Sequence, residues 1–262
     1  MTAQTVVVKI GGSTLGHSDT SLADTVALHA RGVNVVIVHG GGAEISRWLD
    51  RMGLESRFVD GLRVTGEEEL RVVTAVLSGL VNKVLVTDLI ASGGRAVGIS
   101  GVDGRLAHAV ITKPELGRVG DIETVDPHVL TVLLAARCIP VISPVCWGTI
   151  DDRPCLLNVN ADDVAAEIAV ALNATSLIFL TDVPGILDAR GEVISRIASR
   201  EVDSLIAAGT IKGGMIPKAR ACERASRSVP RARIIDGTVA HALLREMEAD
   251  PGGTTIVTDE LA

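Results

Sequence analysis

Tyrosine is missing from this chain, and phenylalanine and tryptophan occur only twice each. Binding that stacks nucleic-acid bases on aromatic rings therefore has almost no raw material. Cysteine is scarce too: Cys138, Cys146, Cys155 and Cys222 show no Cys-x-x-Cys spacing, which suggests neither a zinc knuckle nor a dithiol redox pair and reads as buried thiols. A basic excess is also lacking. The 25 Lys and Arg face 32 Asp and Glu, and a net charge of −7 is the wrong sign for a phosphate-backbone binder. Apolar stretches such as residues 5–8 and 33–38 fall well short of the roughly 20 residues that cross a bilayer. The opening residues lead into a strand-like run, with no charged segment, apolar core and cleavage site. These absences predict a cytoplasmic protein with no nucleic-acid and no membrane partner.

What is present is aliphatic. Of 262 residues 47% are apolar, and a mean hydropathy of +0.38 supplies a sizeable core. Short β-branched runs at residues 5–10, 34–38, 95–99, 138–143, 176–180 and 232–235 read as buried strands. Between them run helical stripes: Ile45, Leu49 and Met52; Leu70, Val73, Leu77, Leu80 and Val84; Leu130, Leu133 and Leu134; Val164, Ile168 and Leu172. Strand followed by helix, repeated, predicts an α/β fold: a three-layer αβα sandwich with a mainly parallel central sheet. Three excursions, at residues 58–64, 105–124 and 186–194, read as hairpins and become candidate lids. The least arbitrary boundary falls near Ala174 and divides the chain into lobes 1–174 and 175–262.

Two glycine turns stand at the carboxyl ends of predicted strands, Lys9-Ile10-Gly11-Gly12 and His39-Gly40-Gly41-Gly42. That edge of an open α/β sheet is where ligands bind, and glycines there let backbone N–H groups approach an anion. The spacings match neither a Walker A loop nor a dinucleotide fingerprint. Lys9 lies in an apolar strand, where an unpaired ammonium is costly, so it needs a partner or a ligand at the strand end. Lys218 follows a loop that enters a helix with Pro217 in its first turn. Asn158, Asn160 and Asp162 crowd the start of a later helix. Capping explains one of them, and an acid near two lysines balances their charge. Arg63, beyond the Asp60-Gly61 turn, suits bidentate binding of a carboxylate.

Taken in order, these residues give the chain an end-to-end resemblance to the amino acid kinase family. The resemblance is carried by the two glycine turns, Asp60-Gly61-Leu62-Arg63-Val64-Thr65, Asn82-Lys83, Gly101-Val102-Asp103-Gly104, residues 158–162, Thr181-Asp182-Val183-Pro184-Gly185 and residues 213–218. It implies transfer of the γ-phosphoryl group of ATP to the side-chain carboxylate of N-acetyl-L-glutamate, a step of arginine biosynthesis, with no covalent enzyme intermediate. By similarity Lys9 and Lys218 neutralise the transferring phosphoryl and Asp162 orients them. Gly11, Gly12, Gly41 and Gly42 hold its oxygens, and Gly41, Gly42, Arg63, Asn158 and Asn160 contact the acyl amino acid. Asp182, Val183, Pro184, Gly185, Ile186, Leu187, Thr210, Ile211 and Lys212 line the nucleotide site. Magnesium is expected to accompany ATP through phosphate oxygens and water, with no protein ligand.

After Ser143-Pro144 the chain departs from the family pattern with Val145-Cys146-Trp147. Only four residues precede the first strand, about one helical turn, too few for the swapped helix of arginine-inhibited hexamers. The expectation is therefore a homodimer indifferent to arginine, with the helix of residues 70–90 as contact element. Two rival readings stay open on the sequence: a kinase of lysine biosynthesis acting on carrier-linked aminoadipate or glutamate, and a non-catalytic sensor of the same fold.

Overall fold

The consecutive aliphatic residues Val6-Val7-Val8 make β1 (Thr5–Ile10) a strand buried on both faces. It leads to α1 (Ser21–Ala30), β2 (Asn34–His39) and α2 (Gly42–Arg51), then to a short hairpin of β3 (Phe58–Val59) and β4 (Leu62–Arg63). One continuous helix follows, built from α3 (Glu67–Thr74), a π-helical stretch at Ala75–Val81 and α4 (Asn82–Ala91). After it come β5 (Ala96–Ser100), β6 (Ala107–Val110), β7 (Val119–Val125), α5 (His128–Ala135), β8 (Ile139–Ser143), β9 (Val145–Ile150), β10 (Arg153–Val159) and α6 (Ala161–Ala171). The last stretch holds β11 (Ser176–Thr181), β12 (Arg196–Ala198), α7 (Val202–Ala207), α8 (Met215–Ser226), β13 (Arg231–Asp236), α9 (Ala242–Glu246) and β14 (Thr254–Val257). This computed structural model describes residues 4–11, 20–59, 61–247 and 252–258.

Eight strands form the central sheet in the order β12-β14-β13-β11-β1-β2-β8-β5, parallel throughout except for the β13–β14 pair. β1 pairs with β2 on one side and β11 on the other, so a single sheet runs through residues of both predicted lobes. Side chains alternate between its faces. Val6, Val8 and Ile10 share one core cluster with Leu28, Leu85, Leu89 and Leu243, while Val7 belongs to the other, with Val164, Ile168, Ala221 and Ala225. Lys9 has the parity of Val7, which directs it to the face covered by α6 and α8.

The excursion over residues 105–124 does form a hairpin, β6–β7, and it closes with β9–β10 into a four-stranded barrel. Leu157 fills the barrel. A side chain at Gly120 or Gly148 would approach Leu157 Cδ1 to 2.9 and 2.6 Å, which is why both positions are glycine. The Val145-Cys146-Trp147 departure is thus the start of β9.

Two helical stripes are corrected. Met52 ends outside α2 as an exposed side chain, and Leu80 and Val84, expected on a core stripe, are 41% and 51% exposed. The π-helical stretch takes more residues per turn, so a stripe drawn at 3.6 residues drifts off the core face. Helix 67–91 is also long and apolar enough, by length and composition, to cross a membrane, with an 18-residue stretch of mean hydropathy 1.6. Here it packs on α2, β5 and β8 and bonds to the sheet through Asn82 and Lys83.

Candidate active site

The carboxyl ends of β1 and β2 bring the glycine turns side by side: Gly40 N–H donates to the Ile10 carbonyl at 3.0 Å. Gly41 caps α2 and Gly42 opens it, so the helix N-terminus faces the turn. A Cβ at Gly41 would lie 2.7 Å from Leu77 Cδ2, so the loop can pack this tightly on the π-helical stretch only as glycine. Gly11 follows directly on β1. Gly12 and Asp60 lie outside the described residues.

Beneath the turns, Lys9 Nζ sits 2.8 Å from Asp162 Oδ1, and Lys218 Nζ sits 3.2 Å from Asp162 Oδ2. The three residues come from β1, α6 and α8, and α6 packs on both of the others. Lys9 and Asp162 are only 6% and 3% exposed, so neither charge has water to screen it. Burial raises the Asp162 carboxyl and the two lysines more than offset that, holding it ionised below the ordinary range. Lys218 also donates to the Gly214 carbonyl at 3.3 Å. One carboxylate fixes two ammonium groups at known positions, an arrangement suited to an anion that carries several charges.

Asn160 is the cap of α6, its Oδ1 accepting from Asp162 N–H at 2.8 Å; of the three polar residues crowding this helix start it is the one capping explains. Beside it opens a cavity of about 180 Å³, lined by the glycine turn of residues 40–42, Arg63, Leu77, Asn158 and Asn160. Arg63 is buried, and burial lowers its pKa. Its Nη2 donates to the Gly42 carbonyl at 2.9 Å and to Ser46 Oγ at 2.8 Å, and its Nη1 to Ser56 Oγ at 2.7 Å. The guanidinium stacks on Phe58. Both Nη2 protons are engaged, so a bidentate grip on a carboxylate requires one of these contacts to yield.

His39 and Asn82 were not among the candidate residues. His39 is closed off from solvent, its Nδ1 donating to the Gly40 carbonyl at 2.8 Å and its Nε2 accepting from Asn82 Nδ2 at 3.1 Å. Burial is the main reason that its pKa falls to about 4; Lys9 and Lys83 lower it further against the opposing Gly40 contact. A neutral imidazole thus braces the glycine turn. The only signal in the sequence is a polar residue closing an apolar strand.

The predicted nucleotide residues fall on two loops. Asp182, Pro184, Leu187 and Lys212 are exposed, Val183 and Thr210 are half-buried, and Gly185 is buried. Ile186 and Ile211 belong to the core, so only their backbone is available to a ligand. Gly185 and Ile186 are anchored to β14, with Ile186 N–H on Thr254 Oγ1 at 2.8 Å. The second loop runs into α8 through a turn, Met215 N–H to Lys212 carbonyl. Among the described residues no group of three His, Cys, Asp or Glu side chains is placed to hold a metal ion.

Two lysines share one buried carboxylate at the carboxyl edge of a mainly parallel sheet, and the chain belongs to the amino acid kinase family, whose model matches residues 4–236. Among curated relatives, the acetylglutamate kinase of Dehalococcoides mccartyi strain CBDB1 is 45% identical over 98% of this chain and 95% of its own length. That of Halorhodospira halophila is 41% identical over 97% of this chain and 89% of its own. Among solved structures, the N-acetylglutamate synthase of Neisseria gonorrhoeae, complexed with coenzyme A and N-acetyl-glutamate, superposes with a TM-score of 0.82 at 25% identity. The match covers 98% of this chain and 60% of that one.

Proposed function

We propose that this kinase transfers the γ-phosphoryl group of ATP to the side-chain carboxylate of N-acetyl-L-glutamate, giving N-acetyl-L-glutamyl 5-phosphate in arginine biosynthesis. The observation that carries the reading is the Lys9–Asp162–Lys218 arrangement beside a cavity holding Arg63 and Asn158. A carboxylate is already a competent nucleophile at neutral pH, so the chemistry needs alignment and charge cancellation rather than a general base. Lys9 and Lys218 supply positive charge on either side of the moving phosphoryl. Asp162 spaces them, and N–H groups of Gly11, Gly12, Gly41 and Gly42 receive phosphoryl oxygens. Arg63, Asn158 and Asn160 hold the acyl amino acid within lobe 1–174.

The loops of residues 182–187 and 210–212, in lobe 175–262, hold the nucleotide. Both Asp162 oxygens already face lysines, so the site offers no ready carboxylate for magnesium. Magnesium enters with ATP on phosphate oxygens and water, and no step is assigned to a protein-bound ion. The apolar outer face of helix 67–91, with Leu80, Val84 and Ile90 41%, 51% and 57% exposed, supports a homodimer formed there.

An ATP-dependent hydroxamate assay tests the reaction with N-acetylglutamate, glutamate, N-acetylaspartate and aminoadipate. Hydroxamate from N-acetylglutamate alone is expected. Equal use of aminoadipate would move the chain to the carrier-linked branch, and no turnover at all would make it a sensor.

A further inference from the structure

Thr65 is fully buried, and its hydroxyl makes two hydrogen bonds. It donates to the carbonyl of Arg63 at 3.0 Å and accepts from Asn158 Nδ2 at 3.1 Å. One group therefore touches two of the residues proposed to hold the acyl acceptor, although β4 and β10 belong to different sheets.

The backbone repeats the connection. Thr65 N–H donates to the Leu116 carbonyl at 2.9 Å, Arg118 N–H to the Thr65 carbonyl at 2.7 Å, and Asn158 N–H to the Arg118 carbonyl at 2.9 Å. Thr65 and Asn158 thus hang on the same short segment that enters β7. Gly117 in that segment has φ +74°, and a Cβ there would lie 2.5 Å from the Thr65 carbonyl oxygen. Glycine is required for so close an approach.

The direction of the hydroxyl carries the consequence. A backbone carbonyl only accepts, so the Thr65 proton is committed to Arg63, and what faces Asn158 is a lone pair. Asn158 must then present its amide nitrogen, which decides between the two orientations of a side chain whose oxygen and nitrogen are otherwise nearly interchangeable in shape. Among the described residues Thr65 is the one hydrogen-bond partner of the Asn158 side chain, so Oδ1 and the second Nδ2 proton remain for a ligand in the cavity it lines.

We infer that Thr65 is a positioning residue for the acyl acceptor: its hydroxyl sets the amide orientation of Asn158 and ties it to the arm that carries Arg63. The inference rests on the assignment of Arg63 and Asn158 to the acyl amino acid. Among the described residues Thr65 has no hydrogen bond to either ATP-side loop or to the two lysines, so its loss falls on acceptor binding and spares the nucleotide.

The test is steady-state kinetics of Thr65→Val and Thr65→Ser in the full-length chain, alone and combined with Asn158→Ala. Thr65→Val keeps the shape and removes the hydroxyl, and is expected to raise the acceptor KM about tenfold while leaving the ATP KM within about twofold. Thr65→Ser keeps the hydroxyl and stays within about threefold of the wild type on both. In an Asn158→Ala background the added effect of Thr65→Val shrinks to about twofold or less, because the amide it orients is gone.

An unchanged acceptor KM in folded Thr65→Val overturns the inference, as does an effect of full size without Asn158. If Thr65→Val does not fold, a folded Thr65→Ser with an acceptor KM raised about tenfold overturns it equally. Wild-type enzyme that makes no hydroxamate from N-acetylglutamate defeats the functional reading instead. The Thr65 series is then measured on the acceptor it does use, with the same outcomes deciding.

Discussion

Lys9 and Asp162 meet at 2.8 Å, ammonium to carboxylate, with water excluded from both. Lys218 holds the other oxygen of the same carboxylate at 3.2 Å, so losing either lysine leaves Asp162 one counter-ion. Folding is therefore expected to survive Lys9→Ala and Lys218→Ala better than chemistry does. Turnover should fall by about 100-fold or more in each, the scale of losing one transition-state donor. Single-turnover assays beside thermal melts check this. A stable Lys218→Ala enzyme with near-normal turnover would remove Lys218 from phosphoryl transfer.

Arg63→Ala is expected to raise the KM for N-acetylglutamate and leave that for ATP nearly alone, because a carboxylate clamp acts in ground and transition states alike. Arg63→Lys should not rescue it. A single ammonium cannot span Ser56, Ser46 and the Gly42 carbonyl as the planar guanidinium does. Loss of ATP affinity with acceptor binding intact would reverse the lobe assignment.

His39 gives a pH dependence with a definite sign. Its folded pKa of about 4 lies below the ordinary 6.5, so the unfolded chain takes up a proton that the native turn refuses. This contribution is fully present above pH 6.5 and is lost as pH falls toward 4, by about 3 kcal/mol in total. His39→Gln keeps an acceptor for Asn82 and does not titrate. Denaturant unfolding of both proteins across that window should show wild-type stability falling relative to the variant. Parallel curves would mean that His39 is not held neutral by its surroundings.

Val84→Asp places a charge on the exposed apolar face of helix 67–91 at a position that is half open to solvent. If this face makes the proposed dimer, light scattering is expected to give a folded monomer for the variant and twice that mass for the wild type. A variant that keeps the wild-type mass would exclude this face as the contact.

Where the chain repeats its pattern, the sequence and the fold agree closely. The strands at residues 5–10 and 34–38, the glycines that follow them and the lysine inside the first could be read because burial on both faces leaves an unbroken aliphatic run. The β9–β10 hairpin was missed for a local reason: its turn is Asp151-Asp152, with φ of +47° and +59°, doing the work usually given to Asn-Gly. Two aspartates between the largely apolar residues of β9 and β10 were the available signal. Leu80 and Val84 were misplaced because the π-helical stretch breaks the 3.6-residue repeat, which composition does not announce. Thr65, Asn82 and His39 stood inside recognised motifs without a role, since each acts through a partner far away in the chain.

The centre that joins β1, α6 and α8 also sets an order of events during synthesis. When the amino-terminal strand leaves the ribosome it carries an ammonium whose counter-ion has not been made, and its second edge stays bare until β11 emerges. The second ammonium arrives later still, on α8. A growing or prematurely ended chain that stops before α8 thus lacks the second ammonium of the pair proposed to act on the phosphoryl group.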